Sequence, residues 1–104
     1  MTVSSERIAS LPKVELHLHL EGSMRPATVL ALAERNGVDI GCSTEAELAA
    51  RYDFDDFLHF IELFKDGLEV LRTPGDMVTI AGVLTDELAA QQVRHAEILS
   101  LIHI

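Results

Sequence analysis

The stretch from Lys13 to Ser23 constrains the fold more than any other part of this chain. Between Val14 and Glu21, apolar and polar residues alternate strictly, with valine and leucines on one side and two glutamates and two histidines on the other. Alternation predicts a β-strand, because successive side chains of a strand point to opposite faces. We therefore predict a strand over about Val14–His19 that carries both imidazoles on one face.

His17 and His19 are the candidate metal ligands of this strand. They lie one two-residue step, roughly 6–7 Å, apart along the strand, and two converging imidazoles at that spacing can bind one Zn²⁺ ion. Gly22 then permits a sharp turn, and Pro26 suits the first position of a helix. A strand that ends in ligands and runs into a loop and a helix is typical of α/β-barrel enzymes. The alternative is an ordinary buried strand, since His-x-His also occurs without a metal.

Helix signals follow the first strand at regular intervals. The apolar periodicity and the capping residues predict helices over about Pro26–Asn36 with a cap at Gly37, from Thr44 to about Arg51, from Asp53 to about Leu71, and from Thr73 to about Gln92. A second strand is predicted over Val93–Ile98. A short strand, a helical crossover and another strand predict the parallel βαβ start of a barrel.

Charge and cysteine content exclude some classes of function. The 104 residues include 8 Lys and Arg against 17 Asp and Glu, and the net charge of −9 argues against a nucleic-acid partner. The single cysteine, Cys42, excludes an internal disulfide and fits a reducing compartment. No apolar run approaches the length of a membrane-spanning helix, and residues 1–10 lack the apolar segment of a signal peptide. We therefore predict a cytoplasmic protein with no membrane partner; the sequence predicts no oligomeric state.

Residues 11–26 read LPKVELHLHLEGSMRP, and this string closely resembles the N-terminal signature of the adenosine deaminase family, zinc hydrolases of the amidohydrolase superfamily. The resemblance extends from Leu11 to Ile98. It implies an α/β fold, the (β/α)₈ barrel of TIM type, which needs about 250 residues. We therefore expect this chain to supply the N-terminal portion of a barrel, with the first two strands and their helices.

The resemblance also implies roles for individual residues. His17 and His19 would be two of the zinc ligands, and in the family a third histidine and an aspartate from later strands complete the metal site. His19 would also contact the substrate, together with Glu21, which matches a family position that bonds the sugar. Capping of the following turn is the alternative role for Glu21. Phe57 and Ile61 would line the pocket mouth, with simple core packing as the alternative. No catalytic proton donor is expected within these residues, so the chain alone is predicted to be inactive.

The implied reaction is the hydrolytic deamination of a 6-aminopurine nucleoside, adenosine to inosine and ammonia, by a water that Zn²⁺ activates. Adenine and aminodeoxyfutalosine are alternative substrates within the family. A different amidohydrolase, such as a cyclic-amide hydrolase, can also begin with His-x-His, but the continuation EGSMRP argues against it. A non-catalytic α/β module that binds a partner through an exposed apolar face is the alternative from another class.

The resemblance predicts three segments along the chain. Residues 1–10 form a loose or weakly helical lead, residues 11–98 form part of the metal-dependent deaminase barrel, and residues 99–104 are an end that the resemblance does not cover. The last six residues, LSLIHI, differ from the continuation expected for the family. We expect them to be non-native, with a divergent true strand as the alternative. Because barrel strands are buried on both faces, an incomplete barrel should expose Val14, Leu16, Leu18 and Ile98.

Overall fold

The computed structural model describes residues 2–100. Its helices and strands follow in the order α1 (Ser5–Ser10), β1 (Lys13–His19), α2 (Pro26–Asn36), α3 (Glu45–Arg51), α4 (Phe57–Glu69), α5 (Pro74–Ala90) and β2 (Val93–Leu99). A short 3₁₀ turn, Glu21–Ser23, lies between β1 and α2. The predicted succession of a strand, a helical crossover and a second strand is confirmed.

β1 and β2 form a parallel two-stranded sheet. The register runs from Lys13 opposite Val93 to His19 opposite Leu99, with two irregularities between these ends. The backbone N–H of Leu20 extends the pairing by donating to the carbonyl of Leu99 at 2.8 Å. Parallel neighbours need a long crossover, which α2 to α5 provide here. This topology is the one predicted for the first two strands of a barrel.

Capping residues set most of the helix boundaries. α2 ends at Gly37, whose φ of 65° and ψ of 32° place it in the left-handed region that glycine adopts without strain. The Thr44 side chain accepts the N–H of Glu47 at the start of α3. Thr73 and Asp76 form a reciprocal capping box at the start of α5. These three boundaries agree with the prediction from local sequence.

The prediction for the ends of α4 was wrong. The sequence predicts a helix from Asp53 to about Leu71, whereas α4 spans Phe57–Glu69. Its N-cap is Asp56, which accepts the backbone N–H of His59 at 2.8 Å. The segment before α4 is rich in aspartates, and each of them is a good N-cap residue. Local spacing therefore cannot select the first helical residue among these candidates.

The hydrophobic core lies among the helices, mainly on the inner side of α2. Its fully buried members come from α2, α3, the end of α4 and α5, and they are Val29, Leu32, Ala33, Leu48, Val70 and Ile80. Partly buried residues of the loops, including Met24 and Ile40, pack against this cluster. The core therefore holds the crossover helices together beside β1.

A fully buried carboxylate, that of Asp76, joins three parts of the crossover. Arg35 forms an ion pair with Oδ1, and Asn36 Nδ2 donates to Oδ2 at 2.8 Å. The backbone N–H groups of Arg72 and Thr73 donate to the same Oδ2 at 2.8 and 2.9 Å. These donors, the Arg72 N–H foremost, hold the pKa of Asp76 well below its usual range, although burial opposes them. Asp76 therefore links α2 to the start of α5 as an ionised group.

The sheet leaves apolar side chains uncovered. Val14 and Leu16 on β1 and Ile98 on β2 are exposed, and Leu18 is half-buried. The exposure of Val14, Leu16 and Ile98 agrees with the expectation for strands of an incomplete barrel, whereas Leu18 was also expected to be exposed and is not. Within residues 2–100, no helix is both long and apolar enough to cross a membrane.

The two ends of the chain are described in part. The predicted lead contains a regular helical segment, α1, whose N-cap Ser4 accepts the backbone N–H of Arg7. At the other end, Leu99 belongs to β2, whereas residues 101–104 lie outside the described residues. The proposal that residues 99–104 are non-native stays a prediction.

Candidate functional site

His17 and His19 lie at the carboxyl end of β1, as the alternation predicts. Their ring centroids are 5.1 Å apart, and the rings are inclined by 66°. Two imidazoles bound to one tetrahedral ion, with Zn–N of about 2.1 Å, also place their centroids about 5 Å apart. The centroid spacing of the pair is therefore compatible with a shared metal ion.

The pair supplies only part of a metal site. Over the described range 2–100, no group of three or more His, Cys, Asp or Glu side chains is placed to hold a metal ion. A catalytic zinc ion normally has three protein ligands and an open position for water or substrate. The geometry therefore fits two ligands of such a site, and any further ligand must come from outside this set of residues.

A cleft of about 540 Å³ opens beside the two histidines. It is lined by His17, Leu18, His19, Glu21, Gly22, Met24, Val29, Tyr52, Phe54, Phe60, Ile61, Leu63, Phe64 and Gly67. The lining is mostly apolar and aromatic, and within the described part of the chain it contains no lysine or arginine. Clefts of this size with few polar groups are typical of sites for small organic ligands.

Glu21 brings a carboxylate into the cleft wall. It opens the 3₁₀ turn after β1, and only 3% of its surface is exposed. Its Oε1 accepts a hydrogen bond of 2.5 Å from the hydroxyl of Ser100. The buried carboxylate lies in the same cleft as His17 and His19, so the structure brings these three predicted site residues together.

Helix α4 packs against Gly22, which follows the strand end that carries His17 and His19. A Cβ built at Gly22 would lie 3.4 Å from Cε2 of Phe64 and 3.6 Å from Cβ of His19. The aromatic ring thus packs directly over the backbone that follows the histidines. These are ordinary van der Waals distances, and they place the wall of the cleft beside the candidate metal site.

The two predicted pocket residues of α4 differ in position. Ile61 lines the cleft. Phe57 does not line it, and 70% of its surface is exposed at the first turn of α4. The aromatic groups of α4 that line the cleft are instead Phe60 and Phe64, whose ring centroids are 6.4 Å apart. A role of Phe57 in substrate binding stays a prediction.

Tyr52 also lines the cleft, and the sequence did not single it out. Burial raises the pKa of its hydroxyl, and the nearby Cys42 raises it further. The hydroxyl therefore remains protonated at neutral pH and retains its hydrogen-bond donor. No local pattern distinguishes this tyrosine, because it follows the short helix α3 and reaches the cleft only through the packing of α3 beside α2.

A family model described as Adenosine deaminase matches residues 12–101. Two curated relatives are the adenine deaminases of Rhodospirillum rubrum, 44% identical over 98 residues, and of Streptomyces coelicolor, 43% identical over 93 residues. The matches cover 94% and 89% of this chain, but only 29% and 27% of the relatives. The chain thus spans less than a third of the length of these relatives.

Solved structures resemble the same region. The adenine deaminase from Arthrobacter aurescens superposes with a TM-score of 0.80 at 39% identity, over 86% of this chain and 27% of that one. The Arabidopsis ADAL protein complexed with GMP superposes with a TM-score of 0.72 at 26% identity, over 91% of this chain and 28% of that one. These likenesses confirm the predicted fold class, the N-terminal portion of a (β/α)₈ barrel.

Proposed function

The chain belongs to the adenosine deaminase family, and on that basis we propose that it supplies the first metal-binding strand and one wall of the active site of a zinc-dependent purine deaminase. The observation that carries the proposal is the spacing of His17 and His19, 5.1 Å between ring centroids, beside an apolar cleft. Since the chain spans less than a third of its relatives, the remaining ligands and the proton donor belong to other strands of the complete barrel.

The residues of this chain have distinct tasks in the proposed reaction. His17 and His19 would hold the metal as neutral imidazoles, because only an unprotonated ring nitrogen can bind a cation. When bound, zinc supplies a Lewis acid that makes hydroxide available near neutral pH. The apolar wall on α4 excludes water from the cleft, which strengthens electrostatic interactions within it. The planar faces of Phe60 and Phe64 suit contact with a flat purine ring.

Adenine is the first candidate substrate, because the curated relatives of this chain that are named above are adenine deaminases. Adenosine is the second candidate, and the position of Glu21 favours it. A carboxylate in the cleft wall can accept hydrogen bonds from sugar hydroxyls, which adenine lacks. The same negative charge, with no lysine or arginine among the described lining residues, disfavours a nucleotide phosphate.

The test is a set of rate measurements on the complete polypeptide that carries this chain. Ammonia release from adenine, adenosine and aminodeoxyfutalosine gives kcat/KM for each. His17→Ala and His19→Ala should each abolish turnover and reduce the zinc content. His95→Ala is the control for loss of a histidine outside the pair, because His95 on β2 is not among the described residues that line the cleft.

Glu21→Gln separates the two substrates. If Glu21 accepts a hydrogen bond from the sugar, the substitution should lower kcat/KM for adenosine by about 10–100-fold, which corresponds to the loss of a charge-assisted hydrogen bond. The kcat/KM for adenine should stay within a few-fold of that of the parent. Equal losses with both substrates would contradict a sugar contact. Absence of turnover with any aminopurine in the zinc-loaded protein would contradict the deaminase proposal and favour the non-catalytic alternative.

A further inference from the structure

The loop between α3 and α4 carries an aromatic ring into the cleft. Phe54 lines the cleft, yet 48% of its surface is exposed. Its ring centroid lies 5.1 Å from that of Phe60, with the planes inclined by 54°, a favourable geometry for an aromatic pair. Since the ring is only half-buried, packing alone does not determine its position, which also depends on the backbone of the loop.

His59 connects this loop to the first turn of α4. Its backbone N–H donates to Oδ1 of Asp56, the N-cap, at 2.8 Å. Its imidazole Nδ1 accepts the backbone N–H of Asp55 at 3.1 Å. The arrangement resembles a capping box, in which the third helical residue returns a side-chain hydrogen bond to the start of the helix. Here the returned bond reaches the residue that directly follows Phe54.

The hydrogen bond to Asp55 determines the state of the imidazole. Nδ1 must carry a lone pair, so the proton of the neutral ring is on Nε2. An asparagine side chain can place its amide oxygen close to the position of Nδ1, whereas alanine offers no acceptor. The two substitutions therefore differ in the one interaction that joins the side chain of residue 59 to the loop.

We propose that His59 is a positioning residue, which holds the backbone at Asp55 so that the ring of Phe54 stays in the cleft wall and contacts the flat face of the bound purine. The part concerning the purine rests on the proposed function. The part concerning the loop does not, because it depends only on the contacts among these residues.

The first test measures the loop directly in the complete polypeptide that carries this chain. Hydrogen exchange of the Asp55 amide should be at least about 10-fold faster in His59→Ala than in the parent, because the amide loses its acceptor. His59→Asn should restore the protection. Glu62→Ala, an exposed change on the same helix, is the matched control and should leave this amide unchanged.

The second test separates positioning from general stability by steady-state kinetics. His59→Ala should raise KM by about 2–10-fold, the range of a lost aromatic contact, with kcat within about twofold. Phe54→Ala should give a similar rise, and the double variant should add nothing, because both changes remove the same contact. His59→Asn should return KM to within about twofold of the parent.

The outcomes distinguish this inference from the proposed function. An unchanged Asp55 exchange rate in His59→Ala, or an additive double variant, would overturn the positioning role even in an active enzyme. A faster exchange rate that asparagine reverses, in a protein that deaminates no aminopurine, would support the loop contact and contradict the deaminase proposal alone.

Discussion

The metal affinity of the isolated 104-residue chain follows from its two imidazoles. His17 and His19 have the spacing of ligands on one ion, and the described residues add no third ligand. We therefore expect this chain to bind one Zn²⁺ ion reversibly and far more weakly than a closed site. The perturbation that tests this expectation is the removal of one imidazole or both, as His17→Ala, His19→Ala and the double variant.

The expected affinity comes from the number of ligands. Structural zinc sites with four ligands bind with about 10–16 kcal/mol, or about 2.5–4 kcal/mol per ligand. Two ligands would then contribute about 5–8 kcal/mol, which corresponds to a Kd between about 1 and about 200 μM. Loss of either histidine should move the Kd to the millimolar range or weaker. Loss of both should leave only the nonspecific binding of surface carboxylates.

Isothermal titration with Zn²⁺ at neutral pH measures these constants and the stoichiometry. His95→Ala is the control for loss of a histidine outside the pair, and its Kd should equal that of the parent. Nanomolar binding by the parent chain would refute the two-ligand account, because it requires a more complete site. Binding that persists unchanged in the double variant would refute the assignment of the ligands themselves.

Three further predictions concern the stability of the fold, measured by urea or thermal unfolding. Leu32→Ala removes a core side chain that is 2% exposed and should lower the free energy of unfolding by about 2–5 kcal/mol. The control, Leu58→Ala, removes a side chain that is 73% exposed and should change the free energy of unfolding by no more than about 0.5 kcal/mol. Equal effects of the two substitutions would contradict the assigned core. Gly37→Ala should lower the free energy of unfolding by about 1 kcal/mol, because alanine is strained in the left-handed backbone conformation, while a Cβ there meets nothing within 4 Å. Gly37→Asn should lower it by less. A gain in stability with alanine would contradict this conformation. The lowered pKa of Asp76 means that its ionised form stabilises the folded state above about pH 4, the range of an unfolded aspartate, and that this contribution is lost as the pH falls towards the folded pKa. Asp76→Asn should therefore reduce the Tm at neutral pH and flatten its decline below about pH 4; parallel declines in both proteins would contradict the role of the charge.

Features set by local interactions were predictable from the sequence. The alternation around His17 and His19 predicted both the strand and the common face of the two rings. Gly37 and Thr73 predicted helix boundaries because their conformations and side-chain bonds involve only neighbouring residues. The place of Glu21 beside the histidines was expected from the family resemblance, and the structure has it in the same cleft.

Features set by tertiary contacts were not predictable. Asp76 has the spacing of a capping residue, but its bonds to Arg35 and Asn36 bridge about forty residues and leave no local pattern. On α4, the apolar period showed which residues share a face, but not how far along the helix the cleft extends. Phe57 was predicted to line the cleft, but Phe60, one turn later, is among the lining residues, and a role of Phe57 in substrate binding stays a prediction.

The unequal attachment of the two ends of α4 has a mechanical consequence. At its carboxyl end, Val70 is fully buried and its carbonyl accepts a hydrogen bond of 2.8 Å from Asn36, whereas the helix itself contains no fully buried side chain. The 13-residue helix, about 20 Å long, is thus attached to the core at its carboxyl end. A tilt of about 5° displaces its amino end by about 2 Å, which widens the cleft at Phe60 more than at Phe64. The rim of the cleft at Phe60 is farther along the helix from the buried Val70 than the wall at Phe64.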